Sequence, residues 1–157
     1  MKRIKGFTLI ELLIVIAILA ILAAIIFVAV DPAQRIQDAR DANRWSSVNS
    51  VLNAYLNYVV DNRGHHTNIT GLTAGTAYMI SDGSAGTAGA TCAAATTANR
   101  VNMQFLVDQY IADIPADPDD TTYDAADTGY YLIRSANNRI TVGACAPEGS
   151  GAISVQR

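Results

Sequence analysis

Gly6-Phe7-Thr8-Leu9-Ile10-Glu11-Leu12-Leu13-Ile14-Val15-Ile16-Ala17-Ile18-Leu19-Ala20-Ile21-Leu22-Ala23-Ala24-Ile25-Ile26-Phe27-Val28-Ala29-Val30 is the stretch on which the reading of this chain turns. Phe7 to Val30 is 24 residues carrying one charge, and a helix of about 20 apolar residues suffices to cross the hydrocarbon core of a bilayer. The length predicts a membrane-spanning helix rather than a buried soluble one. The single charge, Glu11, lies one turn from Phe7. A carboxylate in a membrane helix costs about 3 kcal/mol near the bilayer centre, less toward an end, and is kept for a partner.

Working outward, Lys2, Arg3 and Lys5 precede the run. Such basic flanks stay on the cytoplasmic side, so the body of the protein is expected outside the inner membrane. An ordinary secretory signal has an apolar region of about 7 to 15 residues followed by small residues spaced two apart. Here the run is longer, and Ala17, Ala20, Ala23, Ala24 and Ala29 never take that spacing. No cysteine follows to make a lipoprotein site.

A basic leader ending in Gly6, then Phe7-Thr8-Leu9-Ile10-Glu11-Leu12 and an Ala/Ile/Leu-rich run, resembles the class III signal of type IV pilins and of the pseudopilins of type II secretion. The resemblance covers residues 1 to about 30 directly. It implies cleavage after Gly6 by a prepilin peptidase/methyltransferase and N-methylation of Phe7. It further implies a homo-oligomeric filament built at an inner-membrane assembly platform by a cytoplasmic ATPase. The precursor would lie in the inner membrane with its N-terminus in the cytoplasm, and the assembled product would be a cell-surface or periplasmic filament. Many relatives carry a proline inside the apolar run; this chain has none there.

Cleavage would leave a positive amine at Phe7. On a staggered neighbour that amine can approach Glu11, and two groups costly alone become tolerable together, which favours one axial register. Two plainer readings of Glu11 stand beside this one: solvation at interface depth, or pairing within its own helix at i,i+4 spacing.

At 157 residues the chain has room for one span and one small domain. The leader holds three of the 11 basic residues, which leaves eight arginines against 14 acids, a side-chain balance of −6. Both lysines, Lys2 and Lys5, sit in the leader. A chain without lysine beyond that point has no P-loop lysine and no Schiff-base nucleophile. Its scattered arginines make no basic stripe for a specific nucleic-acid partner. The reading is therefore not an enzyme.

The chain divides into a leader (1–6), a transmembrane/assembly helix (7–30), an amphipathic continuation (31–62), a Gly/Ala/Thr-rich variable loop (63–100) and a C-terminal sheet domain with an acidic loop (101–157). Asp31-Pro32-Ala33-Gln34 has the form of a helix start, with an N-cap, a proline at the first position and a capping-box partner. Because the preceding segment is also helical by pattern, a single helix kinked near Pro32 is expected. Ile36, Ala39, Ala42, Trp45, Val48, Leu52, Tyr55 and Val59 recur at three- or four-residue spacing and predict one apolar face. The helix should end at Asp61-Asn62-Arg63-Gly64.

His65-His66 stands alone, without neighbours at metal-ligand spacing, and reads as a solvated loop pair. Gly71, Gly75, Gly83, Gly86 and Gly89 punctuate a segment expected to form loops or short irregular strands. Asn68-Ile69-Thr70 matches a glycosylation acceptor, a three-residue pattern that chance often produces. Residues 101–111 read as a short helix or turn. Seven aspartates lie between Asp108 and Asp127 with no basic residue among them. Calcium takes six to eight oxygens, and Asp117, Asp119, Asp120, Asp124 and Asp127 can supply several, although the spacing is not an EF-hand. A solvated acidic loop is the plainer reading, and no cofactor is otherwise expected.

Tyr130–Arg134 and Arg139–Cys145 flank Ser135-Ala136-Asn137-Asn138 as a hairpin, and Ala152–Val155 offers a third strand. A sheet this small needs a helix over one face. Cys92 and Cys145, outside the cytoplasm, are expected to pair. The fold class is thus α+β and pilin-like: a long kinked N-terminal helix on a small antiparallel sheet. Three functions fit: a pilus-like filament subunit, a pseudopilin of type II secretion favoured by the proline-rich acidic loop, or a single-span anchored binding domain that never assembles. The last leaves Glu11 and the Gly6-Phe7 junction without a purpose.

Overall fold

The computed structural model describes residues 6–84, 92, 95–119, 121–149 and 151–157. Most of the leader, Gly86, Gly89 and Asp120 lie outside the described residues. The chain divides into two compact units, Met1–Gln37 and Asp38–Arg157.

The first unit contains helix α1, Leu9–Val30, 22 residues of which none is buried. Thr8 caps it in extended conformation, and the helix ends where Asp31 turns into the left-handed region at φ 41°. A second helix, α2, starts at Pro32 and runs to Asp61. The expected kink thus falls at Asp31, one residue before the proline. Proline disfavours helical backbone in the residue before it, and an aspartate tolerates the left-handed state better than most. As anticipated, Asp31 accepts a hydrogen bond from the Gln34 backbone N–H at 3.4 Å.

In the second unit, here called the head, α2 covers a five-stranded sheet. The strands are β1 (Ala77–Ser81), β2 (Ala95–Asn102), β3 (Tyr130–Arg134), β4 (Ile140–Ala144) and β5 (Ser154–Gln156), in the order β2-β1-β3-β4-β5. Three of the pairings are antiparallel, but β1 and β2 run parallel, so the sheet is mixed rather than antiparallel. Both strands of that parallel pair come largely from the segment expected to form loops or short irregular strands. Antiparallel partners can be joined by a tight turn, whereas parallel ones need about a dozen residues; Ser81 and Ala95 are separated by thirteen.

Beyond β2, which takes in Val101 and Asn102, the expected short helix or turn of 101–111 forms as the 3₁₀ turn Gln104–Leu106. The β3–β4 hairpin forms as the sequence predicts. Asn138 takes the positive φ (61°), and the Ser135 backbone N–H donates to the Arg139 carbonyl at 2.8 Å.

Side chains alternate across the sheet. One side, with Ile80, Tyr130, Leu132, Ile140 and Val142, packs with Val48, Val51, Leu52 and Tyr55 of α2. The other side holds a smaller cluster of Met79, Cys92, Tyr123, Tyr131 and Ile133. The apolar face predicted for α2 is correct from Val48 onward and wrong before it: Ile36, Ala39, Ala42 and Trp45 are exposed, and Arg44 is buried. The reason is geometric. A helix turns through 3.6 residues, so each step of three lags by about 60°, and the four successive steps from Ile36 to Val48 drift about 240° around the axis.

Candidate functional site

Gly6, Phe7 and Thr8 precede the first helical turn and are exposed, and no atom lies within 4 Å of where a Gly6 side chain would start. The Gly6-Phe7 bond is therefore open backbone outside the helical hydrogen-bond ladder, the form in which a peptide can be gripped by a peptidase. Helix formation starts immediately afterwards because Thr8 and Glu11 close a capping box. The Thr8 backbone N–H and hydroxyl donate to Glu11 Oε2 at 2.8 and 2.9 Å, and the Glu11 backbone N–H donates to Thr8 Oγ1 at 3.3 Å. Glu11 thus has an intrachain partner three residues back, not at the i,i+4 spacing. The pattern Thr8-x-x-Glu11 carries this signal in the sequence and was not anticipated.

From Leu9 to Val30 the helix is apolar on all sides and bare: Ile16 is 60% exposed, Phe27 69% and Val28 82%. It is long and apolar enough to cross a membrane. A helix hydrophobic all round belongs in lipid or among other helices.

In the head, sequence reasoning passed over Arg44, which is a node of the structure. Its side chain is 1% exposed and its Nε and Nη2 donate to the two oxygens of Asp117, each at 2.8 Å. Arg44 also donates to Asp41 at 2.8 Å and to Glu148 at 3.1 Å. Asp41 in turn accepts from the backbone N–H groups of Glu148 (3.0 Å) and Gly149 (2.7 Å). The cluster ties α2 to the acidic loop and to the segment between β4 and β5.

Asp117, Asp119, Asp124 and Asp127, the described calcium candidates, do not converge. Asp117 faces Arg44, while Asp127, wholly buried, is held by Arg100 through two hydrogen bonds of 2.7 Å. Asp119 accepts from Thr121, and Asp124 from the backbone N–H groups of Ala126 and Asp127. Among the described residues no three acidic, histidine or cysteine side chains are grouped to hold a metal ion. Two arginine forks stand where a cation was considered, and an arginine fork matches the planar carboxylate in both charge and shape.

Cys92 and Cys145 are joined in a disulfide, with Cα atoms 4.9 Å apart. Next to it Gly129 adopts φ +77°; its carbonyl accepts from the Cys145 N–H at 2.8 Å. A side chain at Gly129 would meet Asp117 Cβ and Tyr123 Cγ at 2.8 Å. His66 is not a free loop residue: its Nδ1 lies 2.7 Å from the Tyr55 hydroxyl, its ring stacks on Tyr55, and burial, aided by Arg134, lowers its pKa. His65 is exposed, as is Asn68, which sits in the 3₁₀ turn Thr67–Ile69.

Burial raises the pKa of Asp41, but the Glu148 N–H and the Arg44 side chain outweigh it and hold the carboxyl below the ordinary aspartate value. A depressed folded-state value means that the contribution of Asp41 is fully present above the unfolded value, about 3.9, and is lost as pH falls through the lower folded one. The stability of the full-length chain in detergent should therefore fall away below about pH 4, and less steeply in Asp41→Asn, which has no carboxylate to protonate. Superimposable denaturation profiles for the two proteins would remove Asp41 from the acid response.

Residues 1–27 match the family model for the prokaryotic N-terminal methylation motif. Neither the curated proteins nor the solved structures gave a match. The matched motif supports a class III signal peptide and, with the apolar α1 and the α+β layout of the head, a pilin- or pseudopilin-like protein.

Proposed function

We propose that this chain is the precursor of a structural subunit of a type IV pilus-like filament, cleaved after Gly6, N-methylated at Phe7 and polymerised through α1. The observation that carries this reading is the helix itself, 22 residues with no buried side chain. Lipid satisfies such a helix in the precursor, and a bundle of copies satisfies it once the subunit leaves the membrane. The role is structural rather than catalytic, and the partners are further copies, the processing peptidase, the assembly platform and its ATPase.

Glu11 is the residue through which processing and assembly meet. Cleavage places an amine on Phe7, four positions before the carboxylate, and the amine of one subunit seeks the Glu11 of the next. A pseudopilin of a secretion system is the second reading, favoured by the acidic segment from Pro115 to Asp127 ahead of the last strands. In that case the same assembly would stay in the periplasm.

Intact mass and N-terminal sequencing of material sheared from cells test the proposal, alongside the membrane fraction. The sheared pool should begin at methylated Phe7; uncleaved chain confined to membranes would end the filament reading, and cleaved chain in a short periplasmic assembly would select the pseudopilin. Glu11→Leu should insert and be cleaved, yet yield at least about tenfold less filament, since an unpaired buried charge costs well over 1.4 kcal/mol per contact. A normal yield from Glu11→Leu would sink the register role.

A further inference from the structure

Three residues with no part in processing or polymerisation meet in the head. Asn68 of the 3₁₀ turn Thr67–Ile69, Asn102 at the end of β2 and Phe105 of the 3₁₀ turn Gln104–Leu106 line a cleft of about 290 Å³. Ligand pockets run from about 300 to 1,000 Å³, so this one has room for a single small ring.

Each wall is held from behind. Thr67 Oγ1 lies 3.0 Å from the Tyr58 hydroxyl, His66 is bonded to Tyr55, and Ile69 is buried in the core. Asn68 is thus the exposed residue of a turn fastened on both sides. Asn102 Oδ1 accepts from the Gln104 backbone N–H at 2.8 Å, and its amide lies over Gly83, where a side chain would collide with Nδ2. Phe105 is half-buried between the fully buried Met103 and Leu106 in the chain, its ring centre 4.7 Å from that of Tyr58. Groups already in place lose less freedom when a ligand arrives, which favours binding.

The residue types select the ligand. Phe105 offers an apolar surface to C–H groups, and the two amides offer donors and an acceptor to hydroxyls. None of the three is charged, so an ionic ligand finds no counter-charge among them. An anion also meets a chain whose side chains beyond the leader sum to −6. A sugar ring, neutral, apolar on one face and edged with hydroxyls, satisfies all three groups at once. A nucleotide could stack on the same ring, but its phosphate would be repelled.

We propose that this cleft binds one neutral sugar unit, with Phe105 against the C–H face of the ring and Asn68 and Asn102 hydrogen-bonded to its hydroxyls. The cleft lies wholly in the head, so its test does not depend on whether the chain assembles. The full-length chain, in a detergent without sugar headgroups, is titrated by NMR with the methyl glycosides of glucose, galactose, mannose, N-acetylglucosamine and N-acetylgalactosamine. At least one should show saturation transfer and shift the side-chain amide signals of Asn68 and Asn102 in a saturable way. Asn68→Ala, at an exposed position, should weaken that binding several-fold. Phe105→Leu, which keeps an apolar group beside Tyr58, should weaken it as well while the dispersed spectrum of a folded head is retained. Asn138→Ala in the β3–β4 turn should leave it unchanged, and glucuronate and adenosine monophosphate should bind more weakly than the best neutral glycoside.

The proposal is overturned if none of these glycosides binds up to its solubility limit, if binding survives both Asn68→Ala and Phe105→Leu, or if a charged probe binds as tightly. A glycan attached covalently at Asn68, for which Asn68-Ile69-Thr70 has the acceptor pattern, would consume the amide and overturn it too. It would show as added mass on the native chain.

Discussion

Arg44→Met should destabilise the head by about 3–5 kcal/mol, the usual result of stripping one partner from a buried ion pair. Asp117 has no exposed side-chain surface and receives two hydrogen bonds from the guanidinium. Without them its carboxylate stays buried and unpaired, while Asp41 and Glu148 are left as like charges at close range. Arg44→Lys should fall between the wild type and Arg44→Met, because an ammonium keeps the charge and loses the two-pronged geometry. The decisive variant is Arg44→Met combined with Asp117→Leu. Removing both buried charges can be nearly neutral, so the double variant should recover much of the loss. Urea denaturation of the full-length chain in detergent, followed by protease resistance of the head, measures all three. If Arg44→Met alone leaves the midpoint unmoved, the cluster contributes nothing to stability.

Cys92→Ser together with Cys145→Ser should cost about 4 kcal/mol, the chain-entropy value for a loop of this size. The two positions are 53 residues apart in sequence, and their bond closes the segment that holds β2, the acidic loop, β3 and β4. Reductant should lower the denaturation midpoint of the wild type toward that of the double variant and leave the variant unchanged. A wild type indifferent to reductant would show that the surrounding cluster of Met79, Tyr123 and Tyr131 holds the segment without the covalent bond.

The apolar helix α1 was legible in the sequence because hydrophobicity and length are one-dimensional properties. The same holds for the β3–β4 hairpin, whose turn residues and alternating strands are local. The cysteine pairing also followed, since two cysteines in a domain expected outside the cytoplasm admit one partner each. What the sequence hid is long-range. Ala95–Asn102 has few large apolar residues, so its place as an edge strand depends on β1 offering it hydrogen bonds in parallel. Tertiary pairing overrode a composition that reads as loop. Arg44 was passed over, because nothing nearby in sequence announces Asp117, 73 residues on, or Glu148. The aspartates were legible as a cluster in sequence, but the arginines that separate them in space come from α2 and β2.

The two stabilising devices meet at one residue. Gly129 gives its carbonyl to Cys145, and its lack of a side chain leaves the space that Asp117 and Tyr123 occupy. Neighbouring sites that share a partner do not contribute independently. Breaking the disulfide therefore loosens the backbone that positions the carboxylate of Asp117, and loosening the ion cluster in turn frees the strand end that carries Cys145. The energetic costs of the two lesions should not sum, because the second removes order that the first has already damaged. Through a position with no side chain, reduction on one side of the sheet and acid on the other feed into a single cooperative transition.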